Sequence, residues 1–382
     1  MKKINSFLTL EQASKIVFSH VNYKIETIAV RDSLERYLAQ KIISPENFPA
    51  FARSLYDGFA VNSKEMKNKN PPISPFEKGG LKGDLISTGH ILPKGKDAVV
   101  MLEDVHPSKI KSGQNIIFAG EDFKRGEFVF NKGWKIRPQD IGLLQGLGVK
   151  KIKVFKKLSV GIVSSGNEIV PLDKTPGYGQ VRDMNSGMFF NLILRAGGTP
   201  VFLGICPDKK EAILNYIHKI YKQKLDLILF TGGTSVGNSD LLEDTLLSLD
   251  RGKILFHGLK TKPGKTTLAG FWKGRLIMGL SGRPSSAFVV FHLLVKPILS
   301  YFYHSQNMPE VVLEEDVVGN SEVEEYLPVL IEQKNGTFYA RPMPARPSLF
   351  SPLIFSQGMI KIPIGQKIIK KGQVVQALFW ND

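Results

Sequence analysis

One cysteine among 382 residues is the first exclusion the chain offers. Cys206 has no second thiol to pair with, so no internal disulfide forms, and a reducing compartment, the cytoplasm, is expected. Histidine is also sparse. His20, His90, His106, His218, His257, His292 and His304 fall at no zinc-ligand spacing, and His218 and His292 lie in apolar-periodic stretches, where they read as residues at a core edge. There is no Ser-His-Asp set and no candidate nucleophilic cysteine, so covalent catalysis is not expected. The strongest apolar run, "AFVVFHLLVKPIL", is broken by His292, Lys296 and Pro297 and is too short to cross a bilayer, so no membrane partner is expected. The opening "MKKINSFLTLEQASK" has a lysine pair at its start but no apolar core, unlike a signal peptide.

Acidic residues are outnumbered: 35 Asp and Glu against 51 Lys and Arg give a net charge of +16. The lysines come in pairs spread along the whole chain, as in "KIKVFKK", "DKK" and "IIKKG", not in one stripe. No aromatic RNA-binding motif, zinc finger or homeodomain-like segment accompanies them, so nucleic acid is not the expected partner. A lysine-rich surface on a protein that handles small anions fits better.

What is present is a change of pattern along the chain. Residues 8–43 read as helix ("LTLEQASKIVFSHV"), strand ("KIETIAV") and helix ("DSLERYLAQKI"). Residues 67–84, with three prolines, three glycines and four lysines, read as an exposed linker or insertion. Short strands follow, then a helix at "RPQDIGLLQGLGV". From Leu158 strands alternate with helices, which predicts a layered α/β domain with a mostly parallel sheet. After Ser305 short strands and turns return, which predicts a small β domain.

In open parallel sheets ligands sit beyond the carboxyl ends of the strands. Four loops occupy that place here. "SSGNE" (164–168) holds Ser165, Gly166 and Glu168. "RDMNSG" (182–187) holds Asp183, Asn185 and Ser186. "TGGTSVGNSD" (231–240) holds Gly232, Gly233, Thr234, Ser235 and Asp240. "LSGRPSS" (280–286) holds Ser281, Gly282 and Arg283. Glycines admit a ligand close to the backbone, hydroxyls add donors, and helix starts favour anions. Singly these loops are also ordinary turns and caps: Asp240 with Glu243 makes a capping-box pattern, and Pro284 a normal helix start. Together they predict a site for a phosphorylated ligand.

"HGLKTKPGKTT" (257–267) is not a nucleotide P-loop, because five residues separate Gly258 from Gly264 and Pro263 removes an N–H. Its Lys262 and Lys265 can hold two ammonium groups toward one oxyanion, or form a basic surface turn. A further candidate carboxylate is Asp57 in "RSLYDGFAV", although a lone Asp-Gly is equally a turn.

These motifs, in this order, resemble the molybdopterin molybdenumtransferases of molybdenum cofactor synthesis, relatives of the C-terminal domain of gephyrin. "SLYDGFAV", "STGHILPKGKDAVVMLED", "GEDFKRGE", "SSGNEIV", "VRDMNSGMF", "GGTSVGNSD", "FHGLKTKPGK" and "GLSGRPSSA" carry the likeness. The last loop departs from the family's Gly-Leu-Pro-Gly-Asn-Pro at Ser281 and Arg283. The resemblance implies a multidomain α/β plus β protein: an elongated N-terminal helical domain from residues 1–50 and 125–156, a small β subdomain inserted at 51–124, a molybdopterin-binding α/β/α domain at 157–304 and a C-terminal β domain at 305–382. It implies a homodimer whose cleft uses both chains, and a molybdopterin adenylyltransferase as partner. The implied reaction inserts molybdate into adenylylated molybdopterin, with Mg²⁺-dependent loss of AMP. By motif position, Asp57 and Asp240 become the catalytic, metal-holding pair, Glu168 and Thr88 cleft residues, and the lysines the neutralisers of molybdate and phosphate. A non-catalytic relative that binds molybdopterin or serves as a scaffold is the alternative.

Overall fold

The computed structural model describes residues 7–66, 83–104, 110–232, 240–301, 308–320, 322–343 and 349–380, with Ile220 and Asp240 as backbone alone. Gly233, Thr234, Ser235 and most of the expected linker lie outside the described residues. The chain divides into two compact units, one made of Met1–Lys24 with Lys156–Asp382, the other of Ile25–Phe155.

The larger unit opens with helix α1 (Leu10–Ser19), started by a capping box in which Thr9 accepts from the Gln12 N–H and the Gln12 side chain accepts from the Thr9 N–H. The resemblance groups this helix with residues 25–50. Instead, Ala13 and Val17 are fully buried in the core of the α/β sheet, which places α1 in the larger unit.

That sheet contains β1 (Ser159–Ser165), β2 (Thr199–Cys206), β3 (Leu227–Thr231), β4 (Lys253–His257), β6 (Leu268–Trp272) and β7 (Arg275–Leu280); the intervening β5 (Thr261–Lys262) leaves it for another sheet. The spatial order is β2-β1-β3-β7-β6-β4. The first four strands are parallel, while β6 and β4 add an antiparallel edge. Sequence patterning missed both antiparallel strands, each of five residues, which border the glycine- and lysine-rich turn.

The period-2 alternation of β3 shows why the sheet is covered on both sides. Leu227 and Leu229 pack with Phe189 and Ile193 of α2 (Asn185–Arg195) and with Ala287 and Val290 of α5 (Pro284–Val290). Ile228 and Phe230 pack with Ile213 and Ile217 of α3 (Lys210–Lys222) and with Leu242 and Leu246 of α4 (Asp240–Ser248). Each side chain points to the face opposite its neighbour's, so a continuous apolar run becomes two cores. His292, just beyond α5, is buried against Phe288 and Trp380.

The longer strands of the C-terminal region are β8 (Glu310–Leu313), β9 (Glu324–Lys334), β10 (Thr337–Pro342), β11 (Gly358–Ile362) and β12 (Val374–Phe379). They pair in the order β9-β10-β8-β12-β11, and β9 pairs again with β11, so the five strands close on themselves around Val329, Ile360 and Ala377. β5 joins the outside of β9 in parallel, Thr261 opposite Glu324 and Lys262 opposite Glu325.

In the smaller unit, Ile25–Ala29 pairs antiparallel with Lys151–Phe155. The expected helix "DSLERYLAQKI" is absent. Leu34, Tyr37 and Leu38 have helical spacing, but only Val30–Asp32 forms a 3-10 turn and Glu35 takes φ +62°. Beyond it the backbone is spent on cross-chain bonds, Glu35 N–H to Ile136 O and Leu38 N–H to Trp134 O, each at 2.9 Å. Nor is the unit helical as the resemblance implies. Among its described residues one helix exceeds four residues, Pro138–Gly146. A three-stranded antiparallel sheet places Gly58–Val61 between Asp84–Ile86 and Ala98–Met101. A side chain at Gly58 would put its Cβ 2.0 Å from the Val100 carbonyl oxygen, so the residue after Asp57 must be glycine for the strands to approach.

Candidate active site

The four strand-end loops of the α/β sheet meet. Ser164 and Ser165, buried at the end of β1, each turn a hydroxyl onto a carboxylate of another loop: Ser164 Oγ donates to Asp183 Oδ2 at 2.6 Å and Ser165 Oγ to Asp208 Oδ1 at 2.7 Å. Asp183 also accepts the Ser186 N–H at 3.1 Å, which ties the first turn of α2 to the end of β1. Asn185 Nδ2 donates to the Gly282 carbonyl at 2.9 Å, which joins α2 to the loop before α5. Gly232, at φ +113°, has no room for a side chain: a Cβ there would lie 1.9 Å from Ser165 O. A Cβ on Gly282 would in turn lie 3.2 Å from Gly232 Cα. Since chain order reverses between β1 and β3, this junction is the topological switch point of the sheet, where open α/β folds bind ligands.

Two polar atoms at this rim have no hydrogen-bond partner among the described residues, although both are buried: Asn185 Oδ1 and Thr231 Oγ1. Buried polar atoms are normally paired, so these two suit a ligand. Glu168 is exposed and doubles back over Gly166, with both carboxylate oxygens 2.8 Å from where a Gly166 Cβ would stand. Asp183 spends its oxygens on Ser164 and Ser186, so it positions the loop. Asp208 was not anticipated. It follows β2 directly, and its place after a strand was the available signal.

The lysine turn borders a cavity of about 450 Å³, shared by residues 261–266, Ser281, Arg283 and Ser286 with Glu322, Glu325 and Leu353 of the C-terminal region. Lys262 and Lys265 do not both point free charges into it. Lys262 Nζ lies 2.7 Å from Glu325 Oε1, and Lys265 Nζ sits 5.1 Å from the centre of the Phe7 ring. Arg283 is exposed on the cavity wall, with its N–H 3.3 Å from Ser281 Oγ. Glu325 gave no sequence signal, since "VEEYL" reads as an ordinary strand start. Glu243, expected in a capping box with Asp240, instead contacts His257 Nδ1 at 2.8 Å.

In the smaller unit, Asp57 and Thr88 are brought together. The Thr88 N–H donates to Asp57 Oδ1 at 2.7 Å and its hydroxyl lies 3.3 Å from the same oxygen. Both residues are exposed, and Asp57 Oδ2 accepts from no described residue. No group of three or more His, Cys, Asp or Glu side chains that could hold a metal occurs among the described residues. A single exposed carboxylate with a spare oxygen nonetheless suits Mg²⁺, which takes one or two carboxylates and completes its shell with water and substrate phosphate oxygens. Asp240 opens α4, and its side chain lies outside the described residues.

Three family models match in succession: the MoeA N-terminal region (domain I and II) at residues 8–148, a "Probable molybdopterin binding domain" at 161–301, and the MoeA C-terminal region (domain IV) at 310–380. The molybdopterin molybdenumtransferase of Bacillus subtilis is 30% identical over 94% of this chain and 90% of its own length. The chain belongs to the molybdopterin molybdenumtransferase family. The Haemophilus influenzae molybdenumtransferase is 31% identical over 77% of each chain. Two solved structures of the molybdopterin biosynthesis MoeA protein of Pyrococcus horikoshii align with TM-scores of 0.78 and 0.79, at 28% and 26% identity, over 98% of this chain and 99% and 100% of theirs. For a molybdenumtransferase the rim just described falls within the molybdopterin-binding region, while Asp57 and Thr88 fall within the N-terminal one. Among the described residues no helix is long and apolar enough to cross a membrane.

Proposed function

We propose that this chain is a molybdopterin molybdenumtransferase, inserting molybdate into adenylylated molybdopterin with Mg²⁺-dependent release of AMP. The observation that carries the reading is the junction at Gly232. There the backbones of three loops meet at the switch point of a sheet, and Asn185 and Thr231 leave buried polar atoms for a ligand. That arrangement supports binding of a phosphorylated pterin: the glycines admit its phosphate to the backbone, and the unpaired oxygens receive its donors.

Asp57 would hold Mg²⁺, which would supply charge neutralisation at the phosphate linkage to be broken. The Thr88 amide fixes one oxygen of Asp57 and leaves the other for that task. Glu168 faces the ligand at the rim. Lys262, Lys265 and Arg283 line one cavity with Ser281 and would neutralise molybdate there. The working unit is a homodimer whose cleft draws on both chains, and an adenylyltransferase supplies its substrate.

The test is to mix the purified chain with adenylylated molybdopterin, Mg²⁺ and molybdate and to follow AMP. Molybdate-dependent AMP release is expected. Tight binding of the adenylylated pterin with no AMP formed would make the chain a molybdopterin-binding or scaffold protein instead.

A further inference from the structure

The cavity beside the lysine turn holds its own anion. Three cations line it, Lys262, Lys265 and Arg283, together with two carboxylates, Glu322 and Glu325. Glu325 is the better fixed. Its side chain is only 12% exposed, one oxygen accepts the Asn320 N–H at 3.1 Å, and the other lies 2.7 Å from Lys262 Nζ. The neighbouring Glu324 faces away from this cavity, bound to Lys361 at 2.7 Å and to the Tyr326 hydroxyl, as strand alternation requires.

Stability does not account for the Lys262 pair. Lys262 is 55% exposed, and ion pairs with an exposed partner contribute little to folding. What the pair does is set the charge of the cavity. Lys265 and Arg283 have no carboxylate partner among the described residues. The wall therefore offers an oxyanion two cations, while the third cation is already taken.

We propose that Glu325 is an internal counter-anion of this subsite: it occupies Lys262 while the cavity is empty and gives it up when a substrate oxyanion enters. The inference rests on the reading that the cavity takes molybdate, and it adds a residue from the C-terminal region to that subsite. A carboxylate fixed in the wall repels an incoming dianion, and Lys262 must leave it to engage the newcomer. Glu325 thus weakens anion binding and lets the anion leave.

The test is equilibrium binding of molybdate, tungstate, sulfate and phosphate to the full chain, with thermal unfolding to confirm folding. Glu325→Gln, which keeps the shape and removes the charge, should bind the dianions about tenfold more tightly than wild type. Glu324→Gln should bind them as wild type does. In a Lys262→Ala background most of the gain from Glu325→Gln should vanish, because the two residues act as one unit. Glu325→Asp, which keeps the charge, serves if Gln unfolds the chain, and should stay within about twofold of wild type while Lys262→Ala binds more weakly. Equal or weaker anion binding by a folded Glu325→Gln overturns the proposal. Tighter sulfate and phosphate with no molybdate binding by any variant would uphold Glu325's role and refute the molybdate assignment.

Discussion

The peptide N–H of Thr88 donates to Oδ1 of Asp57 at 2.7 Å, across 31 positions of chain, while the Thr88 hydroxyl reaches the same oxygen only at 3.3 Å. The carboxylate is held mainly by main chain, and replacing the Thr88 side chain leaves its stronger contact intact.

From this geometry, Asp57→Asn should fold normally, since an amide oxygen accepts the same bond, but lose turnover by about 10²-fold or more. Thr88→Val should lose less than about tenfold. Steady-state AMP release checks both, and wild-type turnover in Asp57→Asn would remove that residue from the chemistry.

Gly232→Ala should be the costliest small substitution at the rim. Its methyl would stand 1.9 Å from Ser165 O at a backbone angle of φ +113°. A loss of roughly 3 kcal/mol or more is expected in urea unfolding. An unchanged midpoint would mean that the junction is slack.

Lys265→Ala should raise the molybdate concentration for half-maximal turnover about tenfold while changing pterin affinity less than about twofold. Lys265 lies on the cavity wall, beside the Phe7 ring. Equal losses in both measurements would contradict a molybdate-specific role.

Burial pushes the pKa of His292 down from 6.5 to about 4; Lys296 and Arg195 push the same way, against its bond to the Phe288 carbonyl. The unfolded chain takes up this proton near pH 6.5 and the folded chain only near pH 4, so stability falls as the pH drops through that window. The loss is on the order of 3 kcal/mol. Urea unfolding at several pH values should show the slope, and His292→Leu should flatten it. A slope that persists in the variant would belong to other groups.

Much of the α/β region was legible because its strands and helices bury whole faces, and burial writes the 2.0 and 3.6 periods into the sequence. The four loops were legible as a candidate site because glycines and hydroxyls cluster after those strands. The failures have a common cause. "DSLERYLAQKI" has helical spacing, yet Glu35 enters the left-handed region and the backbone pairs with residues 134–136, so tertiary bonding overrode local preference. Strands β4 and β6 were hidden beside a turn rich in glycine and lysine. Glu325 was invisible because its meaning lies wholly in Lys262, 63 positions earlier in the numbering.

The two-residue strand Thr261–Lys262 belongs to the C-terminal sheet, although the chain on either side of it builds the other one. An exchange of C-terminal regions between relatives would therefore graft more than a stabilising appendage. A hybrid joined after residue 308 would keep two sound cores yet inherit a mismatched seam under its lysines, so these parts are expected to be portable only as a matched set.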